Sequence, residues 1–158
     1  MKVLEIYLIH QAFINSMNNA SESLKLFLNL TKIQTINARR FSGGLDGMGF
    51  SEFTILFHLS QSPDKKLRRI DLAEKVGLTA SGVTRLLAPM EKIGLVEKEK
   101  NNKDARVSFV KLSRSGQRNL HESLERANLF AQDLFTPEKM KKLKGLSEVL
   151  NELGGRIH

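Results

Sequence analysis

Small polar residues and one arginine cluster between positions 79 and 85. The members of this cluster are Thr79, Ala80, Ser81, Gly82, Thr84 and Arg85. An arginine can form two hydrogen bonds to one guanine in the major groove of DNA, and hydroxyl groups can contact bases or phosphates. The methyl group of Ala80 can contact that of a thymine. We therefore predict a DNA contact here, with helix capping or bonding to the local backbone as the alternative for the hydroxyl groups.

A second set of candidate residues surrounds Arg106. Asp104, two residues earlier, can hold the guanidinium of Arg106 by a charge-assisted hydrogen bond, which lowers the cost of ordering it against a minor groove or its phosphates. Lys98, Lys100 and Lys103 are placed to contact phosphates from the same region. The alternative is a surface ion pair worth about 0–1 kcal/mol, surrounded by solvated lysines.

The positive charge of the chain is concentrated in its central third. The chain has 158 residues and a formal net charge of +8, and residues 63–114 contain thirteen Lys or Arg against seven Asp or Glu. Cations confined to one segment favour a polyanion as partner, because they displace counterions from phosphates. On charge alone, a solvated lysine-rich face explains the pattern equally well.

Residues that support catalysis or metal binding lack the spacing that such sites require. The sequence contains no cysteine, which excludes disulfides, thiolate zinc sites and cysteine-based redox switches. Its four histidines are dispersed, and no Ser-His-Asp motif, Walker loop or dinucleotide-binding glycine motif is present. We therefore expect a protein that is not an enzyme and that has no cofactor and no metal site.

Two short helices joined by a glycine-containing turn are predicted around the first cluster. Ser51 is expected to cap a preceding helix, which ends at the polar QSPDKK connection (61–66). The first helix of the pair ends at Gly77, and Thr79 caps the second. The apolar positions expected on one side of the first helix are Ile70, Leu72, Ala73 and Val76. The apolar positions of the second helix follow helical spacing: Val83, Leu86, Leu87 and Met90. These two helices form a helix-turn-helix, whose second helix Pro89 should kink or bend.

Sequence typical of β-strands follows the second helix. LVEKEK (95–100) and RVSFVKL (106–112) are separated by a polar turn at residues 101–105, which predicts a β-hairpin. A hairpin in this position makes residues 48–114 a winged helix-turn-helix module. Lys103 and Asp104 would then lie near the tip of the wing.

Helical sequence flanks the module on both sides. Leu24, Phe27 and Leu28 lie in a helical stretch, which is followed by a loop marked by the glycines of residues 43–47. After residue 115, leucines and alanines repeat at alternating spacings of four and three, and a further helix starts at Thr136. Such apolar flanks need a surface to pack against.

The predicted fold class is mainly α with a small β-hairpin wing, within a single chain spanning residues 1–158. We expect the helical regions 1–42 and 115–158 to form the interface of a homodimer, since DNA-reading proteins commonly use two-fold symmetry. The alternative is that these helices pack only against their own chain.

No membrane location is expected from the hydropathy of the sequence. No segment approaches the roughly 18 consecutive apolar residues of a membrane span. The opening MKVLEIYLIH is interrupted by Glu5 and His10, and no cleavage site of small residues follows it, which argues against a signal peptide. We expect a soluble, cytoplasmic protein.

In four segments the sequence resembles the MarR family of transcriptional regulators, and the resemblance covers nearly the whole chain. The segments are GFSEFTIL (49–56), LRRIDLAEKVGLTASGVTRLLAPMEKIGLV (67–96), the Asp104-x-Arg106 pair and KLSRSGQ (111–117). The resemblance implies a winged helix-turn-helix dimer that binds double-stranded DNA at a pseudo-palindromic operator, usually as a repressor. It also implies that Arg106 is the wing arginine.

Resemblance to this family further implies a small-molecule effector, often an anionic aromatic compound, bound between the dimerisation helices and the wing module. Phe27, Phe41, Phe53 and Phe57 are the candidate lining residues, with a purely structural place in the core as the alternative. A different class of function is also open, in which the basic face of the winged module binds an acidic partner protein.

Overall fold

The structure is a computed structural model that describes residues 6–11, 21–44, 47–100 and 108–154. The chain divides into two compact units, Met1–Arg39 and Arg40–His158. Within the described residues, no helix is both long enough and apolar enough to cross a membrane.

Seven helices and three strands make up the described part of the chain, together with one 3-10 turn. In order they are α1 (which includes residues 6–11), α2 (Glu22–Gly44), α3 (Phe50–Gln61), the 3-10 turn (Pro63–Lys65), β1 (Lys66–Arg68), α4 (Arg69–Lys75), α5 (Ala80–Lys92), β2 (Val96–Lys100), β3 (Ser108–Leu112), α6 (Arg114–Leu134) and α7 (Pro137–Glu152). The predicted fold class, mainly α with a small β wing, is confirmed.

The three strands form one antiparallel sheet in the order β1-β3-β2. Val96 of β2 pairs with Leu112 of β3, and the hairpin continues in register to Lys100 opposite Ser108. The first strand was not predicted. It has three residues, and its pairing of Leu67 with Val110 turns the expected hairpin into a three-stranded sheet.

The ends of the helix-turn-helix follow from local chemistry as expected. Gly77 has a φ of 66°, a left-handed conformation that a residue without a Cβ adopts without steric cost, and it follows the end of α4. The hydroxyl of Thr79 accepts a hydrogen bond from the amide of Gly82 at 3.1 Å and so caps α5. At the other end of α5, Gly94 has a φ of 75° before the chain enters β2.

Three local predictions were wrong. The N-cap of α3 is Gly49 and not Ser51, which lies within the first turn, because the helix already begins at Phe50. Helix α2 extends through Gly43 and Gly44, so the loop starts later than the glycines suggested. Ile70 is 64% exposed, since only the opposite side of α4 faces the core.

One hydrophobic core joins the helix-turn-helix, the sheet and the start of α6. Its buried members from these elements include Ile55, Leu56, Leu59, Leu72, Val83, Leu87, Met90, Val96, Val110, Leu112 and Leu120. Three of the four inward positions predicted for α5 are buried, and the fourth, Leu86, packs partly buried against the same core. This packing fixes which side of α5 remains accessible.

Candidate nucleic-acid interface

Helix α5 presents its polar side to solvent because its apolar side is buried. Ser81 and Arg85 are four residues apart and both exposed, whereas Val83, Leu87 and Met90 are at most 1% exposed. Thr79, Ala80 and Thr84 are also exposed, and Gly82 is half-buried. The structure therefore gathers all six residues of the first predicted cluster at the N-terminal end of one helix.

The hydroxyl groups at this end also make local contacts. Thr84 donates to the carbonyl oxygen of Ala80 at 2.8 Å, and the hydroxyl oxygens of Thr79 and Ser81 are 3.1 Å apart. Each hydroxyl oxygen still has room for a further partner, because a hydroxyl can accept two hydrogen bonds and donate one. Arg85 differs, since no described residue forms a hydrogen bond or ion pair with its guanidinium.

Pro89 lies in the second half of α5, which nevertheless continues to Lys92. The residue is exposed, and it borders a cavity between α3, α5 and α6. Proline has no amide hydrogen, so the carbonyl of Arg85, four residues earlier, lacks the donor that an ordinary residue would provide. Met90 remains buried and keeps this half of the helix in register with the core.

Only part of the predicted wing lies within the described residues. Lys98 is exposed on β2, opposite Val110. Lys103, Asp104 and Arg106 lie outside the described residues, as does the side chain of Lys100. Strands β2 and β3, which flank residues 101–107, are paired in continuous register from Val96 opposite Leu112 to Lys100 opposite Ser108.

The outer face of the sheet carries a charged network that sequence analysis missed. Glu99 of β2 accepts a hydrogen bond from Lys66 of β1 at 2.7 Å, and its other carboxylate oxygen is 3.5 Å from the ammonium of Lys111 of β3. The ammonium of Lys66 also lies 5.4 Å from the centre of the Phe109 ring. Hydrogen bonding between Lys66 and Glu99 is the main cause that lowers the pKa of Glu99 and raises the pKa of Lys66.

Two further ion pairs surround the start of α4. Arg68 forms a bidentate pair with Asp71, with nitrogen to oxygen distances of 2.7 and 2.6 Å, and this hydrogen bonding is the main cause that lowers the pKa of Asp71. Arg69 lies 3.5 Å from Glu91 and so joins α4 to the end of α5. One of these ion pairs thus lies within the start of α4, and the other links the two helices of the motif.

Three of the predicted pocket phenylalanines form an aromatic cluster. Phe41 is 6.3 Å from Phe53, which stacks with Phe57 at 6.3 Å between ring centres. Phe50 and Phe130 extend the cluster, at 4.6 and 4.7 Å from Phe41. Phe27 belongs to the other compact unit. The structure thus brings three of the four residues together.

A cavity of about 240 Å³ opens between the start of α3, the end of α5 and the middle of α6. None of the four predicted phenylalanines lines it. Its lining combines apolar residues with both signs of charge: Gly47, Met48, Glu52, Pro89, Met90, Ile93, Leu95, Asn119, Glu122, Ser123 and Arg126. These residues come from three separate segments, which explains why sequence spacing alone did not indicate the cavity.

Comparison with known proteins agrees with this architecture. Residues 50–108 match the sequence model of the MarR family. An uncharacterised helix-turn-helix transcriptional regulator of Bacillus subtilis, YdgJ, is 21% identical over 140 residues, which are 87% of this chain and 82% of that protein.

Solved structures share the fold at low sequence identity. The MarR family regulator Sco3205 of Streptomyces coelicolor, in complex with DNA, is 24% identical with a TM-score of 0.69, over 85% of this chain and 89% of Sco3205. The organohalide-sensing regulator RdhR-CbdbA1625, bound to 2,4-dichlorophenol, is 22% identical with a TM-score of 0.73, over 87% of this chain and 85% of that chain.

The matched segment contains the helix-turn-helix and most of the winged sheet, which are the elements that carried the resemblance in the sequence. Residues 50–108 of the chain are therefore similar to the MarR family, and the chain shares its fold with MarR family regulators of known structure.

Proposed function

We propose that this protein is a transcriptional regulator that binds double-stranded DNA in a sequence-specific manner. The observation that carries the proposal is the exposed polar end of α5, where Ser81 and Arg85 project from a helix whose other side is buried in the core. A helix held in this way can enter a major groove with its N-terminal residues towards the bases. The related fold of Sco3205, which was solved in complex with DNA, supports the same reading.

Residues 48–114 would form the DNA-binding module, with α5 in the major groove and the wing at the adjacent minor groove. Arg85 would contact a base edge, while Thr79, Ser81 and Thr84 would contact bases or phosphates. Lys98 is exposed on the strand that leads to the wing tip and would contact a phosphate. The excess of cations in this segment would add affinity that does not depend on DNA sequence.

The protein would act as a homodimer on a pseudo-palindromic operator. Helix α7 supports this proposal, since several large apolar side chains on it and at its C-cap are about half exposed: Met140 52%, Leu146 48%, Val149 48% and, at the C-cap, Leu153 52%. Phe27 and Leu28 of α2 are also exposed, at 55% and 59%. A second copy that covers such helices would place two recognition helices about one DNA turn apart. Regions 1–42 and 115–158 would supply the interface.

Repression relieved by a small ligand is the regulatory mode that we propose. The cavity between α3, α5 and α6 touches Pro89, Met90 and Ile93 at the end of the recognition helix. A ligand that binds there more tightly when α5 is not in its DNA-bound orientation would lower operator affinity. By linkage, bound operator would lower the affinity for the ligand by the same factor. RdhR-CbdbA1625 bound to 2,4-dichlorophenol is an example of this fold with an aromatic ligand.

Selection of duplexes from a random DNA library at near-physiological salt tests the proposal. An enriched inverted repeat, with half-sites about one helical turn apart, is the expected result. Mass measurement in solution should give twice the chain mass. Absence of any enriched sequence would overturn the proposal and favour the alternative in which the basic face binds an acidic partner protein.

A further inference from the structure

Glu99 is a single carboxylate between two lysine ammonium groups, those of Lys66 and Lys111, on the sheet next to the wing tip. Its two carboxylate oxygens contact Lys66 at 2.7 Å and Lys111 at 3.5 Å, and these three side chains are only partly exposed, at 37%, 28% and 44%. Glu99 precedes residues 101–107 of the wing by two positions, and Phe109 follows residue 107 by two. The network therefore lies where the hairpin leaves the body of the protein.

The network spans the full width of the sheet. Glu99 lies on one outer strand and Lys66 on the other, with Phe109 and Lys111 on the central strand between them. Lys66 extends over the Phe109 ring to reach the carboxylate. Backbone hydrogen bonds link only neighbouring strands, so this side-chain contact is a direct link between β1 and β2.

Strand β1 is directly followed in the chain by α4, the first helix of the helix-turn-helix. Arg68, the last residue of β1, is the N-cap residue of α4, and Arg69 begins that helix. A tie between β2 and β1 is therefore a tie between the wing and the helix that precedes the recognition helix. It restrains the direction in which the wing projects relative to the rest of the module.

We propose that Glu99 is a positioning residue, which orients the wing for DNA through its contacts with Lys66 and Lys111. The inference rests on the proposed function. The direction in which DNA affinity changes when Glu99 is replaced distinguishes this role from a purely electrostatic one. Removal of a carboxylate close to a DNA-binding surface should strengthen DNA binding by simple electrostatics, because it raises the positive charge. Loss of a positioning contact should weaken binding instead.

The test compares Glu99→Gln with Glu97→Gln on the operator obtained by selection. Glu97 lies on the same face of the same strand, is exposed, and has no ion pair among the described residues. Both variants remove one negative charge, but only the first removes a charge that holds Lys66 and Lys111. We expect Glu99→Gln to weaken operator binding by about threefold to tenfold, and Glu97→Gln to leave it unchanged or slightly tighter.

A double-mutant cycle separates positioning from general destabilisation. In a Lys66→Gln background the tie is already broken, so the further change Glu99→Gln should weaken binding by much less than it does in the wild type. Additive losses would overturn the inference, as would unchanged or tighter binding by Glu99→Gln alone, or an equal loss in Glu97→Gln. If the wild-type chain selects no operator, the proposed function itself fails, and the role of Glu99 in DNA binding fails with it.

Discussion

The hydroxyl of Ser113 donates to the carbonyl oxygen of Gly94 at 2.6 Å, where the turn after α5 meets the start of α6. The hydroxyl oxygen of Ser113 accepts a hydrogen bond from the amide of Gly116 at 2.9 Å, and Ser113 is buried. The amide of Ser113 also donates to the carbonyl of Leu95. One small residue thus caps α6 and holds it against the turn that follows α5. We call this contact between the start of α6 and the turn after α5 the joint.

Replacement of Ser113 by alanine should therefore lower the free energy of unfolding by about 1–3 kcal/mol, because the change removes a helix cap and a buried donor together. Thr136→Ala is the matched control, since Thr136 caps α7 in an exposed position with a longer hydrogen bond of 3.5 Å to the amide of Lys139. Denaturation with urea measures both. If both variants lost the same unfolding free energy, Ser113 would contribute no more than an ordinary exposed helix cap.

Gly116→Ala tests the close approach at the same joint. A methyl group at Gly116 would overlap the carbonyl oxygen of Leu95, so either α6 or the backbone before β2 has to move. We expect a loss of stability of about 1–3 kcal/mol, as for other overpacked sites. Gly145→Ala is the control, because a methyl group there meets nothing within 4 Å and lies inside helix α7. That variant should gain up to about 1 kcal/mol. If Gly116→Ala left the unfolding free energy unchanged, the backbone of α6 and Leu95 could separate enough to accept a methyl group without cost.

His58 should make stability depend on pH. Its side chain is only 4% exposed and its Nδ1 has no hydrogen-bond partner; burial first, and the nearby Lys75 second, hold its pKa below the ordinary 6.5. The unfolded chain thus binds a proton at a higher pH than the folded chain does. Stability from this group is complete above pH 6.5 and falls as the pH drops through 6.5 towards the folded-state pKa, by at most about 1.4 kcal/mol per pH unit.

Chemical denaturation at several values between pH 7 and pH 5 checks this expectation. His58→Leu should flatten the profile, whatever its effect on stability at pH 7. His121→Gln is the comparison, since it removes a histidine whose side chain is 77% exposed instead of a buried one. A wild-type slope that survives in His58→Leu would assign the pH dependence to other groups.

Arg85→Ala should weaken operator binding by about 1–3 kcal/mol without a change in the melting temperature, because the guanidinium has no partner among the described residues and is free for a base. Lys92→Ala removes the same charge from the same side of α5, about 10 Å further along the helix. Binding titrations by fluorescence anisotropy should show a smaller loss for Lys92→Ala. If both variants lost the same operator affinity, Arg85 would contribute only through its positive charge and not through contact with a base.

Local chemistry made much of the helix-turn-helix predictable. Gly77 and Thr79 occupy positions where backbone conformation and capping follow from residue type, and the apolar spacing from Val83 to Met90 fixed the buried side of α5. The exposed side then follows by elimination. These features depend on residues within a few positions of one another, and sequence patterns report such distances well.

Features that depend on distant residues were not predictable. Strand β1 has three residues and exists through its pairing with β3, more than forty residues later. Lys66 and Glu99 are separated by 33 positions, and no periodicity links them. The cavity likewise combines side chains from three separate segments. Ser51 shows a different failure, since a good capping residue type was present but the helix began two residues before the predicted start.

Pro89→Ala addresses the unusual proline of the recognition helix. Alanine would supply an amide donor to the carbonyl of Arg85 and has a higher helix propensity, and since position 89 is exposed the change removes little packing. We expect stability to rise by up to about 3 kcal/mol, as measured by urea denaturation. A variant that is less stable than the wild type would show that the proline ring makes a packing contact that outweighs the missing hydrogen bond.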